Sequence, residues 1–580
     1  MFFAFLFSKP ISSSNRIKLS LMIIGPVAIL ATAWLVPNHY PPWVAAWGDG
    51  LAIFGFLFLL PSVAANSVVA GRISWQISII AAASGIMLLA QFETGRLLFF
   101  GDVAMAALYV SLWLAAVLTG RYLAESTSRC DGVSALTTSW LFAALLSVGI
   151  ALVQWTGALS LGIYAADLPP GARPFANLAQ PNNFCTLCFL GLCGLLWLQQ
   201  LRHVNSGVFW LASIYLLLGM VLSQSRTGWL QLGSLIMWGL VMRVRASLRI
   251  TRLQLLVLGT AFVLGALLLP WISEALLLSG GRSLDDQMQS GMRLPYWRAM
   301  LDAIGSEPLW GYGWQQVGSA QQSLALDHPA IGDYFEHAHN LVLDLLLWNG
   351  VPVGGLIIVV LAWWFIAHIR ACRDARVVWL LTAAGGVFVH GMLELPLEYA
   401  YFLIPVGLAM GAVDGLSPEL LPSLRLPRWA VMSFSVLLSA VFVWTVVEYL
   451  EVEENYRTFR LEAAHIGVEG IVTPAPKLRL LTQLGAFLEF AHTEATPGMR
   501  PEQVDWMRKV SERFGYPSVL FRYALAAGLN GQPEVARETL ARICRIHSRA
   551  RCLEAREVWK TLQMRYPQLA EVTVPLDGKN

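Results

Sequence analysis

The chain has 580 residues, of which 56% are hydrophobic and 13% are charged, and its mean hydropathy is +0.58. Soluble globular proteins contain about 25% charged residues, so a wholly water-soluble protein is excluded. The net charge of +3 is too small to indicate a nucleic-acid partner.

Charge density divides the sequence near residue 450. Residues 1–449 contain 22 Lys or Arg and 21 Asp or Glu, whereas the much shorter remainder contains 18 and 16. So few charges are typical of a membrane domain, and the denser remainder is typical of a soluble one. We therefore expect a polytopic transmembrane domain over 1–449 and a soluble domain over 450–580.

The first domain contains about thirteen apolar stretches that are long enough to cross a bilayer as helices. They lie at 19–36, 50–65, 76–91, 103–120, 135–155, 183–201, 207–224, 228–243, 254–273, 340–368, 378–392, 399–414 and 429–449. These stretches predict an all-α helical bundle with large loops at 156–182 and 274–338.

The positive residues predict the orientation of this bundle. One set of alternate loops carries sixteen Lys and Arg residues, and the other set carries six. Because positive residues concentrate on the cytoplasmic side, the N-terminus is predicted to be cytoplasmic, and an odd number of spans places the soluble domain outside. The six outward arginines are Arg96, Arg173, Arg226, Arg282, Arg293 and Arg298. Most polar loop residues share the outer side, so we expect any active site there.

The soluble domain has the spacing of paired helices. Residues 517–531 place small residues where two helices would cross, and Asn530-Gly531 would end the first helix. This pattern is typical of a tetratricopeptide-like unit, so we interpret the domain as a helical interaction domain. Cys544 and Cys552 can form a disulfide there if the domain lies outside the cytoplasm.

The sequence lacks the common signatures of nucleotide and metal chemistry. There is no P-loop, no G-x-S-x-G and no H-E-x-x-H, and Asp285-Asp286 is the only adjacent acidic pair in an outer loop. The thiols of Cys185, Cys188 and Cys193 have no nearby His, so we interpret them as packing residues of a membrane helix. No metal and no cofactor are expected.

The segment 336–344 carries the most informative polar residues. His339 is predicted to lie at the outer membrane boundary, and Asn340 and Asp344 share one helical face that looks into the bundle. An ionisable residue in a span is costly to bury, which favours a functional role. The alternative is a polar helix cap with His337 and His339 solvated.

Two arginines stand out on the outer side. Arg226 lies in a tight turn between two spans, and Arg293 lies one helical turn before Trp297 in a predicted interfacial helix. Guanidinium groups suit bidentate binding of phosphate oxygens. Anchoring to lipid headgroups is the alternative.

Polar side chains also cluster in two further outer segments. Residues 173–183 are rich in amides, and Gln180 and its neighbours suit the hydroxyl groups of a sugar. Turn formation and helix capping are the alternative, which leaves Arg173 and Gln180 unexplained. In residues 390–401, His390 and Glu394 share a helical face and form either a relay or a buried ion pair.

These segments together resemble a known family. Residues 173–183, the Ser-Arg-Thr-Gly-Trp turn at 225–229, Arg293 with Trp297, and His337-Ala-His-Asn340 followed by Gly350 are similar to the bacterial PglL-type protein O-oligosaccharyltransferases. That family lies within the O-antigen ligase and polymerase superfamily. The segments 173–182 and 394–402 resemble the protein-glycosylating branch more specifically. Trp348 and the Val-Pro-Val-Gly-Gly that follows Gly350 depart from the family pattern.

The resemblance implies a glycosyltransferase of the bacterial inner membrane with its active site and helical domain in the periplasm. Such an enzyme transfers an oligosaccharide en bloc, with inversion and without a metal, from undecaprenyl pyrophosphate to Ser or Thr of a periplasmic protein such as a pilin. Arg226 and Arg293 would hold the pyrophosphate, and His339 would be the general base. Contacts to glycan or acceptor would come from Arg173, Gln180, His337, Asn340, Tyr399 and Tyr401.

Three other functions remain open at the level of the sequence. An O-antigen ligase would deliver the same glycan to the lipid A core, and a polymerase would elongate it. A transporter with a periplasmic sensor domain would need polar groups in the inner half of the bundle, where the sequence has few.

Overall fold

The computed structural model describes residues 14–66, 70–125, 131–278, 292–420, 422–466 and 473–573. Three residues named above lie outside these ranges, namely Arg282, Asp285 and Asp286.

The described residues are predominantly helical. In the predicted membrane domain the helices are α1 Ser14–Thr32, α2 Ala46–Asn66, α3 Trp75–Glu93, α4 Phe100–Glu125, α5 Asp131–Thr156, α6 Pro181–Gln200, α7 Ser206–Leu222, α8 Arg226–Arg245, α9 Arg252–Ala275, α10 Arg293–Ser306, α11 Val317–Ser323, α12 Leu341–Ala371, α13 Ala375–Gly391, α14 Ala400–Leu416 and α15 Arg428–Ala463. The tail adds α16 Thr482–His492, α17 Pro501–Arg513, α18 Pro517–Leu529, α19 Pro533–Ile546 and α20 Arg549–Arg565.

Each predicted apolar stretch coincides with one of these helices. Within the described ranges, eight helices are long and apolar enough to cross a membrane, and α7, α13, α14 and Met22–Leu35 are shorter apolar helices. The predicted stretch 228–243 lies in α8, which falls outside both groups. The all-α, multi-pass prediction is confirmed.

A small antiparallel sheet is the exception to the helical fold. Strand β1 (Gly71–Ser74) pairs with β2 (Ser423–Leu426), and Arg72 stands opposite Arg425. These strands are not predicted from the sequence, because four residues are too few to show a period of two.

The chain forms two compact units. The first comprises Met1–Ala81, Tyr109–Gln289 and Val360–Phe442, and the second comprises Ala82–Leu108, Ser290–Val359 and Val443–Asn580. The second unit thus joins the tail to part of the long outer loop. The predicted domain boundary at residue 450 stays a prediction.

Helix α6 lies in the core of the first unit. In the most apolar segment of α6, 89% of the residues are buried inside the protein, compared with 28% in the corresponding segment of α9. A Cβ on Gly194 would lie 2.3 Å from the Thr137 carbonyl oxygen, so glycine allows α6 to approach α5 closely. Cys185, Cys188 and Cys193 are free and buried on α6, as expected for packing residues.

Paired helices form the tail in the second unit. The predicted helical pair is confirmed as α18 and α19, joined by a turn at Asn530-Gly531. A Cβ on Gly528 would lie 3.4 Å from the Ala536 Cβ of α19 and 2.8 Å from Leu569, which follows α20, so this position of α18 needs a small residue. Cys544 and Cys552 form a disulfide between the end of α19 and the start of α20.

The outer loop and the tail pack directly against each other in this unit. Ser319 and Gln322 of the loop donate hydrogen bonds to the Glu512 carbonyl at 2.8 and 2.9 Å. The Ile331 N–H donates to the Arg545 carbonyl at 3.1 Å. These bonds use the backbone of the tail, so they fix its position along the loop.

Candidate active site

Residues 331–340, which we call the histidine loop, lead directly into α12. Ala338 is fully buried, and its N–H donates to the Asp344 carboxylate at 2.7 Å. Its carbonyl accepts from the Trp297 indole at 2.8 Å, and the His337 carbonyl accepts from the Tyr296 hydroxyl at 3.1 Å. The backbone between the two histidines is therefore fastened by α10 on one side and α12 on the other.

Asn340 and Asp344 have separate tasks in this arrangement. The Asn340 side chain accepts hydrogen bonds from the N–H groups of Val342 and Leu343 at 3.0 and 3.2 Å, so it caps α12. Asp344 is buried and reaches back to the histidine loop. The polar-cap alternative thus describes Asn340 correctly, whereas Asp344 positions the backbone beside His339.

His339 has an unusual backbone conformation. Its φ is +51°, in the left-handed region that few residues with a side chain adopt. The imidazole lies edge to face against Phe335, with ring centroids 5.3 Å apart, and it is partly exposed. Strained backbone of this kind persists only where the surroundings enforce it, and it is common at functional sites.

Helix α10 carries both a candidate ligand and the supports of the histidine loop. Arg293 is its first residue, and Tyr296 and Trp297 follow on the next turn. Burial, together with the charge of Asp344 and the neighbouring Tyr334, raises the pKa of Tyr296 well above its usual value. Tyr296 therefore remains a hydrogen-bond donor to the histidine loop.

The turn at residues 223–225 connects α7 to α8 in the first unit. Arg173 donates to the carbonyls of Ser223 and Gln224 at 3.3 and 3.0 Å. Ser225 caps α8 by accepting from the Thr227 N–H, and Arg226 is the first residue of that helix. Arg173 thus fastens the turn that presents Arg226.

Asn182 connects this turn to the segment that follows α13. Its amide oxygen accepts from the Ser225 hydroxyl at 2.6 Å, and its amide nitrogen donates to the Glu394 carboxylate at 3.0 Å. Deeper in the unit, Thr186 lies 2.9 Å from His390 Nδ1 and accepts from Gln231 at 2.9 Å. These bonds form a polar layer among α6, α8 and α13.

The amide-rich loop at 173–183 contains two kinds of side chain. Some bond to the protein backbone, and others are partly exposed, where a ligand can reach them. Asn177 is buried, donates to the carbonyls of Leu35 and Tyr164, and accepts from the Ala166 N–H. Gln180 precedes α6 without capping it and is partly exposed. The capping and turn interpretation therefore explains Asn177 but not Gln180.

Tyr399 and Tyr401 form a stacked pair at the start of α14, with ring centroids 5.1 Å apart. Tyr401 is buried, and Tyr399 is half-buried. The buried Asp49 carboxylate accepts from the Ala400 N–H at 2.6 Å and from the Tyr109 hydroxyl at 2.8 Å, which holds this end of α14 in place.

The structure groups the predicted site residues into two sets. One set belongs to the second unit and comprises Arg293, His337, His339 and Asn340. The first-unit set is Arg173, Gln180, Arg226, Tyr399 and Tyr401. Within the described ranges no cluster of His, Cys, Asp or Glu is arranged to hold a metal ion.

Sequence reasoning missed several supporting residues. The spacing of Trp297 from Arg293 is visible in the sequence, but its bond to Ala338 is a contact across 41 residues. Asp49 lies in an ordinary apolar span with no motif around it. The four-residue spacing of Asn340 and Asp344 was the one signal that pointed to a support.

Two family models match large parts of the chain. Residues 211–358 match the family described as O-antigen ligase, and residues 378–561 match the family described as virulence factor membrane-bound polymerase, C-terminal. The first match includes Arg226, Arg293 and the histidine loop. The second includes Tyr399, Tyr401 and most of the tail.

Two relatives from Acinetobacter baylyi cover most of the chain. A general O-oligosaccharyltransferase is 29% identical over 548 residues, which span 91% of this chain and 93% of that protein. A ComP-specific O-oligosaccharyltransferase is 25% identical over 400 residues, which span 68% and 71%. The chain is therefore similar to the PglL-type protein O-oligosaccharyltransferases of the O-antigen ligase and polymerase superfamily, and it is a multi-pass membrane glycosyltransferase.

Proposed function

We propose that this protein transfers an oligosaccharide en bloc from undecaprenyl pyrophosphate to a Ser or Thr hydroxyl of a periplasmic protein such as a pilin. The names of the two Acinetobacter relatives support O-linked transfer of an oligosaccharide. The observation that carries the proposal is the partly exposed His339 on a backbone that Trp297, Asp344 and Tyr296 fasten from two helices.

His339 acts as the general base in this proposal. Its imidazole accepts the proton of the acceptor hydroxyl while the hydroxyl oxygen attacks the anomeric carbon of the glycan. The bond from that carbon to the phosphate oxygen breaks, its electron pair leaves on undecaprenyl pyrophosphate, and the anomeric configuration inverts. Pyrophosphate is stable as an anion, so the leaving group needs no proton.

Arg226 and Arg293 bind the pyrophosphate. Each is the first residue of its helix. A positive side chain at a helix N-terminus repels the positive end of the helix dipole, so neither residue is placed there for helix stability. The same position combines a guanidinium with backbone N–H groups, which suits phosphate oxygens whose charge grows as the bond breaks.

The remaining site residues have two kinds of role. Gln180, His337 and Tyr399 are partly exposed, and we assign them to contacts with the glycan or acceptor. Arg173, Asn340 and Tyr401 act indirectly. Arg173 holds the turn before Arg226, Asn340 caps the helix after His339, and Tyr401 stacks on Tyr399.

We place the active site and the tail in the periplasm. The asymmetry of positive charge supports a cytoplasmic N-terminus. The disulfide between Cys544 and Cys552 supports an oxidising compartment for the tail.

The experiment is co-expression with a lipid-linked glycan pathway in a host that lacks its own ligase, together with candidate pilins. Glycan on Ser or Thr of a protein is the expected result, and His339→Ala should abolish it at unchanged expression. His203→Ala, which changes an exposed histidine elsewhere, is the control and should retain transfer. Full activity of His339→Ala would refute the base.

The same experiment tests the second candidate, an O-antigen ligase. The match of residues 211–358 to the O-antigen ligase family favours it as the alternative. Glycan on the lipid A core alone, with none on protein, would assign the enzyme to that reaction.

A further inference from the structure

Two residues of the histidine loop are held by the tail within the second unit. The Tyr334 hydroxyl donates to the Arg513 carbonyl at 3.3 Å, and the Tyr516 hydroxyl donates to the Glu336 carboxylate at 3.0 Å. Glu336 immediately precedes His337. The tail therefore contacts the loop only a few residues before His339.

Arg513 is a buried anchor for this contact. Its side chain is 10% exposed, and Nε lies 3.0 and 3.2 Å from the two carboxylate oxygens of Asp102, whose side chain is 2% exposed. Nη1 of Arg513 lies 4.0 Å from the Glu336 carboxylate. Burial alone would lower the pKa of Arg513, but Asp102 and Glu336 more than offset it, so its pKa is raised. The guanidinium is fixed by Asp102 and directed at Glu336.

The tail backbone approaches the loop as closely as a residue without a side chain allows. A Cβ on Gly515 would lie 2.5 Å from the Tyr334 ring and 2.8 Å from the Gln322 amide. Gly515 lies between Arg513 and Tyr516, the two residues that face Glu336. This part of the tail therefore packs closely against the loop, which a domain that only binds the acceptor would not need.

We infer that Arg513 and Tyr516 are positioning residues that orient the histidine loop through Glu336, so that the tail completes the active site in addition to any role in binding the acceptor. The inference deepens the proposed function, since it takes His339 as the base. Neither residue contacts the reacting atoms. Their effect is to restrict the backbone that carries the imidazole.

The first test is Tyr516→Phe in the full-length enzyme, which removes one hydroxyl and keeps the ring. A hydrogen bond to a carboxylate supports a change of about tenfold, so we expect kcat to fall about tenfold with the acceptor KM unchanged within about twofold. Tyr523→Phe is the matched control, because it removes the hydroxyl of another buried tail tyrosine, whose ring belongs to an apolar cluster with Val504 and Met507. A raised KM with unchanged kcat would show that the tail only binds the acceptor and would overturn the inference.

A second measurement does not depend on transfer. Amide hydrogen exchange of peptides that cover residues 331–340 should be faster in Tyr516→Phe and Arg513→Met than in wild type and in Tyr523→Phe. Unchanged exchange in both variants would refute the positioning role even if His339 is the base. Conversely, full transfer by His339→Ala would refute the proposed function while leaving the exchange result intact.

A mutant cycle tests whether Glu336 is the intermediary. In an Glu336→Ala background, Tyr516→Phe should lower kcat no further, since its partner is already missing. If Tyr516→Phe lowers kcat by the same factor in both backgrounds, Tyr516 does not act through Glu336 and the inference fails.

Discussion

Asp344 reaches back to the Ala338 N–H from the first turn of α12. Ala338 is fully buried, so removing the carboxylate leaves a donor that water cannot satisfy. Such a loss costs about 1–3 kcal/mol, and the residue affected is the neighbour of His339.

We therefore expect Asp344→Leu to lower kcat at least about tenfold, with a smaller loss for Asp344→Asn, which keeps a carbonyl oxygen. The measurement is the initial rate at saturating donor and acceptor, with thermal melting to monitor folding. Asp327→Leu, at an exposed position of the same outer loop, should behave as wild type. Equal rates for Asp344→Leu and wild type would show that this bond does not position the base.

The two arginines at helix N-termini permit a sharper separation of activity from stability. Arg226→Gln and Arg293→Gln each remove a cation from the positive end of a helix dipole, and the melting temperature of each variant separates an effect on stability from an effect on transfer. Transfer should fall about ten- to a hundredfold, because a charge-assisted phosphate contact is lost.

Arg298→Gln provides the control for Arg293, since it changes an exposed arginine on the same helix. Both the rate and the donor KM should be measured for all three variants. If Arg293→Gln and Arg298→Gln lose activity equally, headgroup anchoring by α10 explains the arginines better than pyrophosphate binding.

At the scale of single residues, the sequence predicts which polar side chains matter better than it predicts what each of them does. His339, Arg226 and Arg293 stood out because charged groups at a membrane boundary need a reason. Asn177 and Arg173 stood out equally, yet Asn177 bonds three backbone groups and Arg173 bonds two carbonyls of a turn. Amide and guanidinium groups satisfy a backbone as readily as a ligand, and only the folded contacts distinguish the two uses.

Between elements, Glu448 of α15 connects the last span to the tail. Its carboxylate accepts from the N–H groups of Arg479, Leu480 and Leu481, which precede α16, and from the Trp444 indole. The side chain therefore fixes the backbone that leads into α16, more than thirty residues further along the chain.

Glu448→Ala should destabilise the tail by at least about 2 kcal/mol, because several buried N–H groups lose their acceptor. Limited proteolysis should cut near residues 473–481 faster in this variant. Glu451→Ala, at an exposed position on the same helix, should be cut at the wild-type rate. Equal protection of Glu448→Ala would show that the apolar contacts of α16 suffice.

His547 gives the tail a dependence on pH. Its Nε2–H donates to the Gly515 carbonyl at 2.8 Å, and burial lowers the pKa of the imidazole. The unfolded chain then binds the proton more readily than the folded one. The contribution of neutral His547 is complete above the unfolded value of about 6.5 and is lost as the pH falls below it.

The melting temperature of the tail should therefore drop between about pH 7.5 and pH 5.5 in wild type, and it should drop less in His547→Gln, which can still donate to Gly515. Parallel melting curves of both proteins over this range provide the measurement. His465→Gln, at an exposed site, should follow wild type. An identical slope for His547→Gln would exclude His547 as the source.

Helices with long apolar runs are predictable from the sequence, whereas the kinks that interrupt them are not. Helix α12 contains a kink at Gly350, whose φ is +68°, and a Cβ there would lie 2.3 Å from the Leu309 carbonyl oxygen. Hydropathy is continuous through this point, so the pattern carries no signal. At the kink, the Val351 N–H donates to the carbonyl of Pro308, a residue far from it in the sequence.

For the whole molecule, charge density located the tail but not its partners. The ion pair of Asp102 with Arg513 joins residues 411 positions apart. A composition window cannot detect a pairing over that distance, and a single buried Asp at the start of an apolar helix resembles a cap. The association of the tail with residues 290–359 therefore needed the folded chain.

Orientation in the membrane is the property of the whole chain that most directly decides the proposed chemistry. Alkaline phosphatase fused after residue 573 should be active, because the tail is expected in the periplasm, and the same reporter inserted after Arg249 should be inactive. Thiol labelling gives an independent reading. In the denatured chain, Cys544 and Cys552 should react with a maleimide only after reduction, whereas Cys552 of Cys544→Ser should react without it. An inactive C-terminal fusion would place the tail, and the histidine loop that packs on it, in the cytoplasm, where a periplasmic acceptor cannot reach His339.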